Sequence, residues 1–89
     1  MVKRVIKRDE RREDFDREKL RRGILRAAER AEVKEDRARE LADRIAERIE
    51  KEDREEMKAE EIRDKLLEEL DREEKAVADA FRAFREEKK

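Results

Sequence analysis

Between Ile6 and Phe15 the chain carries no large apolar side chain. That gap constrains the first fifteen residues, because a helix drawn through them would have no face to bury. Two short strands fit instead. In a strand, Val5 and Lys7 point to one side while Ile6 and Arg8 point to the other.

From Asp16 onward the apolar spacing changes to that of helices. Asp16 is placed to cap a first helix by accepting backbone N–H bonds, with Phe15 and Leu20 as a hydrophobic staple across the cap. Leu20, Ile24, Ala27, Ala28 and Ala31 then mark one face, and Gly23 offers either a close helix approach or a weak point. A second helix is expected from about Lys34 to Ile49, burying Ala38, Leu41, Ala42, Ile45 and Ile49. A third begins near Ala59 and carries Ile62, Leu66 and Leu70. The fourth carries Val77, Ala80, Phe81 and Phe84, and Lys88 and Lys89 read as a frayed tail. Periodicity lapses at 30–35, 50–58 and 71–75, yet nothing there signals a stop.

Such helices must form from few large apolar residues. Leu, Ile, Val and Phe make up 18 of 89 residues, about a fifth, close to the level below which highly charged chains stay disordered. The net charge of −1 argues the other way, since self-repulsion is small. Residues 1–30 hold 12 Lys or Arg against 7 acids, and residues 31–89 hold 16 against 22. A basic first third suits a local polyanion such as a triphosphate, and is equally an ordinary solvated face.

Cys, His, Asn, Pro, Gln, Ser, Thr, Trp and Tyr are all missing. The loss of nine types, Ser among them, reads as an engineered sequence in a reduced alphabet. It also removes the usual nucleophiles, the His and Cys ligands of transition metals and any disulfide. Acid pairs at helical spacing recur throughout and read as solvated surface, so no catalysis is expected. No apolar run of membrane length and no signal-peptide core is present; a membrane partner is not expected, and the cytoplasm is the expected location.

The segment from Val5 to Leu20 resembles the start of an ATP-cone domain, the small regulatory nucleotide-binding module of ribonucleotide reductases and of the repressor of their genes. The family pattern Val-x-Lys-Arg-Asp-Gly-Arg-x-x-x-Phe-Asp-x-x-Lys-Leu/Ile is met at Val5, Lys7, Arg8, Asp9, Arg11, Phe15, Asp16, Lys19 and Leu20. Glu10 replaces the Gly. Weaker similarity continues through Leu41–Ile45, Glu60–Leu66 and Val77–Arg85, in the family's order. The resemblance implies a mainly α, α+β fold: a four-helix bundle with a short N-terminal β-hairpin lid. It implies one domain over 1–89, with 1–15 as lid and 16–89 as bundle, and a short third strand at Met57. The lid's turn then falls at Asp9-Glu10, where a positive φ makes Glu roughly 1 kcal/mol worse than Gly. Lys34 and Ala59 stand where relatives often put a capping Ser or Thr.

Phosphate recognition needs fixed cations or clustered backbone N–H groups. Lys7, Arg8 and Lys19 are placed to converge near the positive end of the first helix, and the resemblance makes these three phosphate contacts. It also puts Val5, Phe15 and Leu20 around an adenine, with Glu13 and Asp16 at the ring's polar edge. On their own, Val5, Phe15 and Leu20 are equally well core residues. Arg63 is added as a cation one turn into the third helix, where relatives often have His or Gln. The expected function is therefore binding of ATP or dATP, with Mg²⁺, and no catalysis; the alternative is a designed helical scaffold without a working site. Nucleic-acid binding through Arg4, Lys7, Arg8, Arg11 and Arg12 is disfavoured, since acids alternate with these bases and only Phe15 offers an aromatic platform. A homo-oligomer is left open.

Overall fold

The computed structural model describes residues 1–87, with side chains described through Ala83. The side chain of Phe84 and the tail at Lys88 and Lys89 lie outside the described residues. The elements run β1 (Arg4–Ile6), β2 (Arg12–Asp14), α1 (Arg17–Arg30), α2 (Glu35–Glu50), β3 (Glu56–Lys58), α3 (Ala59–Glu73) and α4 (Lys75–Glu87). The chain is thus mainly α, with four helices beside a short N-terminal hairpin.

The sheet order is β2-β1-β3. β1 pairs with β2 antiparallel, setting Val5 opposite Glu13 and Ile6 opposite Arg12. It pairs with β3 in parallel, setting Val5 beside Met57. The strand expected at Met57 is therefore present, and Met57 is fully buried.

The hairpin reverses through Arg8, Asp9 and Glu10. The Lys7 N–H donates to the Arg11 carbonyl and the Glu10 N–H to the Lys7 carbonyl, each at 2.8 Å. The Asp9 carboxylate accepts from the Arg11 backbone N–H (3.2 Å) and its guanidinium (2.7 Å), which holds Asp9 below the usual carboxylate range. Glu10 has φ of 70°, the left-handed conformation expected of this turn.

A second positive φ was not foreseen. Glu32, at 61°, follows α1, and its N–H donates to the Glu29 carbonyl while the Val33 N–H donates to the Ala28 carbonyl, both at 3.0 Å. This pair of bonds is a Schellman stop, normally built on Gly. Glu10→Gly and Glu32→Gly are each expected to raise stability by about 1 kcal/mol, or roughly 4–8 °C in Tm for a domain of this size. Thermal unfolding of the two variants checks this. A fall in Tm would mean that the glutamate side chains hold their turns.

Helix faces follow the apolar spacing. Ile24, Ala27 and Ala28 are buried on α1; Leu41, Ile45 and Ile49 on α2; Ile62, Leu66 and Leu70 on α3; and Val77 and Ala78 on α4. Leu20, Ala31, Ala80 and Phe81 are partly buried against them. Ala46 and Ala78 join the core without having been expected there. Among the described residues no polar or charged side chain is buried, so every charged side chain among them lies at or near the surface.

The start of α3 corrects one expectation. Ala59 is its first helical residue, and the cap position falls one earlier, on Lys58. Lys58 has no acceptor to offer, but its own N–H donates to the Glu61 carboxylate at 3.1 Å, half of a reciprocal capping pair. α2 likewise begins behind Lys34 with no side-chain cap.

Charged pairs tie α2 to the far end of α3. Arg44 reaches both oxygens of Glu73 at 2.7 Å, and Arg37 adds bonds to the Glu73 carbonyl and to Glu74. Glu73 is thereby pushed below the usual carboxylate range, chiefly by Arg44. Glu56, Glu61, Glu47 and Asp71 are lowered by their own cation partners. A carboxyl with a depressed folded pKa contributes stability above its unfolded value, near pH 4, and loses it as pH falls through the folded value. Urea midpoints should therefore be nearly flat from pH 7 to 5 and fall below about pH 4.5, with a shallower fall in Glu73→Gln. An unchanged acid limb in that variant would show that the Arg44 pair adds nothing to the slope.

Candidate nucleotide-binding site

Two adjoining clefts lie between the hairpin, α1 and the start of α3. The smaller encloses about 230 Å³. Val5, Phe15, Leu20, Gly23, Ala59, Ile62 and Phe81 line it as apolar wall, and Lys7, Glu13, Asp14, Asp16 and Lys19 complete its lining. A Cβ on residue 23 would stand 3.5 Å from the Phe81 ring, in ordinary contact, so Gly23 leaves that volume to the cleft rather than relieving a clash.

The larger cleft encloses about 630 Å³. Five cations line it, Lys7, Arg8, Arg12, Lys58 and Arg63, against two acids, Glu10 and Glu60. Lys7 and Ala59 line both clefts. The smaller volume falls short of the usual 300–1,000 Å³ of a ligand site and the larger lies within it.

Local folding explains who faces where. Alternation along β1 sends Val5 to the small cleft and Ile6 to the large one, and Arg12, opposite Ile6, follows it. Phe15 leaves β2 directly into the Asp16 cap, whose carboxylate accepts the Lys19 N–H at 3.1 Å. That bond fixes Asp16 and Lys19 at the small cleft. The large cleft lies against the first turn of α3, where backbone N–H groups without a partner inside the helix and the helix dipole favour an anion.

Seven of the nine site residues expected from the sequence therefore line the smaller cleft: Val5, Lys7, Glu13, Phe15, Asp16, Lys19 and Leu20. Arg8 and Arg63 line the larger. Lys7 alone of the three expected phosphate contacts lines both, so Lys7, Arg8 and Lys19 do not share one cleft. The cations gather at the start of α3 rather than of α1. Arg12, Lys58, Ile62 and Phe81 were missed. Strand alternation could have placed Arg12 beside Arg8, whereas Lys58 becomes visible only once the position of β3 is known.

Three of the five cations of the larger cleft are engaged with nearby carboxylates. Lys7 stands 3.8 Å from Glu13, Arg8 3.2 Å from Glu60 and Arg12 3.0 Å from Glu56. Arg4 also binds Glu56, at 3.1 Å, and the two guanidiniums hold its carboxyl below the usual range. The Arg63 guanidinium lies over the Phe81 ring, 5.5 Å from its centre, a cation–π contact where the two clefts meet. Among the described residues no group of three or more Asp or Glu is positioned to hold a metal ion, and no helix is long and apolar enough to cross a membrane.

The family model for the ATP cone domain matches residues 3–89. The transcriptional repressor NrdR of Petrotoga mobilis (strain DSM 10674 / SJ95) is 48% identical over 46 residues. The aligned segment covers 52% of this chain and 31% of the repressor, so the similarity spans about a third of that relative's length.

Proposed function

The chain belongs to the ATP-cone domain family, and from that premise we propose that it binds ATP or dATP, with Mg²⁺ carried on the phosphates. It is a binding module and not an enzyme. In this reading the base enters the small cleft between Val5, Phe15 and Leu20, with Glu13 and Asp16 at its amino edge. The phosphate chain passes Lys7 and Lys19 into the large cleft, toward Arg8 and Arg63. Residues 1–15 act as the lid of a single domain whose remainder, 16–89, forms the bundle.

The observation that carries this reading is the junction at Lys7 and Ala59: a cleft with an apolar wall shares these two residues with a cleft rich in cations. A nucleoside triphosphate has that same polarity, apolar ring at one end and concentrated negative charge at the other. The missing nine residue types support the further reading of an ATP-cone rewritten in a reduced alphabet. A scaffold without a working site is favoured by one observation, the carboxylates already seated on Arg8 and Arg12.

Isothermal titration with ATP, dATP and GTP separates the two. Saturable heat with ATP or dATP is expected, and Lys7→Ala and Arg8→Ala should each weaken binding by about 1–3 kcal/mol, the scale of a charge-assisted hydrogen bond. Titration heats equal to dilution for all three nucleotides would leave the scaffold reading.

A further inference from the structure

The Arg8–Glu60 pair lies at the larger cleft, and both of its members line it. Arg8 comes from the hairpin turn and Glu60 from the first turn of α3, 52 residues apart in sequence. The pair is one of the contacts that tie the tip of the hairpin to the bundle. Taking the proposed nucleotide reading of this site as its basis, we infer that Glu60 is a tethered competitor of the ligand: its carboxylate occupies the Arg8 guanidinium until a phosphate displaces it.

The physical argument rests on position and charge. Arg8 can present its fork to one oxyanion group at a time in full bidentate geometry, and Glu60 already holds one Nη of that fork through a single 3.2 Å bond, so a phosphate that takes the whole fork must displace it. The Glu60 side chain is 65% exposed and that of Arg8 74%, so the pair is screened and contributes little to the fold. Such a pair is easily exchanged for a phosphate, which offers more charge and three acceptor oxygens. The attraction that a phosphate must displace, between the opposite unit charges of Arg8 and Glu60, amounts to about a factor of five in affinity at 4 Å even in bulk water. Glu60 therefore sets affinity in a direction opposite to its neighbours: removing it tightens binding, whereas removing Lys7, Arg8 or Arg63 weakens it.

Titrating ATP into the parent chain, Glu60→Gln, Arg8→Ala and the double variant, at low and at high salt, tests this. Glu60→Gln should bind ATP about five- to tenfold more tightly at low salt, with the gain shrinking as salt screens it. The gain should be largely lost when Arg8 is Ala, because a competitor without its cation has nothing to occupy. A parent that binds while Glu60→Gln binds equally or more weakly would overturn the inference and leave the nucleotide reading intact. So would a gain of the same size in the Arg8→Ala background, which would make Glu60 a general repulsive charge. If no variant gives saturable heat, the nucleotide reading falls and the inference with it. Thermal unfolding of Glu60→Gln, expected within a few degrees of the parent, confirms that the comparison is made on one fold.

Discussion

At a hundredfold excess over its dissociation constant, ATP should raise the apparent stability of the chain by about 2.7 kcal/mol, because a ligand bound only by the folded state shifts the unfolding equilibrium by mass action. The proposed site requires the folded state: Lys7 and Arg8 come from the hairpin, Arg63 from α3, and the apolar wall draws on β1, α1, α3 and α4. An unfolded chain brings none of these together. GTP should stabilise less, since Glu13 and Asp16 are acceptors suited to the adenine amino group, whereas guanine presents a carbonyl there and leaves them unpaired. Differential scanning fluorimetry with ATP, GTP and inorganic triphosphate at matched ionic strength reads this directly. Equal shifts with all three would reduce the site to an unselective basic cleft, and no shift at millimolar ligand would leave a scaffold.

Leu66→Ala should cost about 2–5 kcal/mol, the range for emptying a fully buried leucine site. Leu66 is 0% exposed and belongs to the core cluster that joins all four helices. A domain of this length has only about 5–13 kcal/mol in total, and eleven of its hydrophobic residues are Ala, which bring little area. The core therefore depends on a handful of large side chains, and the variant should be substantially unfolded well below the parent's Tm. Urea denaturation followed by circular dichroism gives the difference. A loss under about 1 kcal/mol would mean that the helices slide to fill the void, the behaviour of a loosely specified core.

The parts of the fold that could be read from sequence are those written in apolar spacing. The empty stretch from Ile6 to Phe15 excluded a helix, Asp16 marked the start of α1, and the buried faces of α2 and α3 follow from Leu41, Ile45 and Ile49 and from Ile62, Leu66 and Leu70. Chain reversals were harder. α1 stops on Glu32 in a conformation that ordinarily advertises itself as Gly, so no residue announced the Schellman turn. The α3 cap was expected at Ala59 and lies on Lys58, because neither residue carries the side-chain acceptor that would have marked the position.

The candidate site divides along the same line. Val5, Phe15 and Leu20 could be assigned to a common cleft only through the family resemblance, because their periodicity alone fits core residues equally well. The gathering of Arg12, Lys58 and Arg63 around Arg8 depends on β3 lying beside β1, a pairing of residues 52 apart, and on α3 starting without a spacer after it. No local pattern reports that.

The parallel pairing of β1 with β3 also bears on how the molecule is assembled in time. β1 is hydrogen-bonded on one side to a neighbour a few residues away and on the other to a strand that exists only after α1 and α2 have traversed the bundle. Closing so long a loop is slow and entropically late, so the helices should gather first and the three-stranded sheet should zip onto them last. Reversed, that order makes the sheet the earliest part to come undone, with strand amides exchanging through openings smaller than global unfolding. Recognition of the nucleotide would then be entrusted to the youngest and least durable piece of the fold, and a ligand bridging hairpin and α3 would slow its departure.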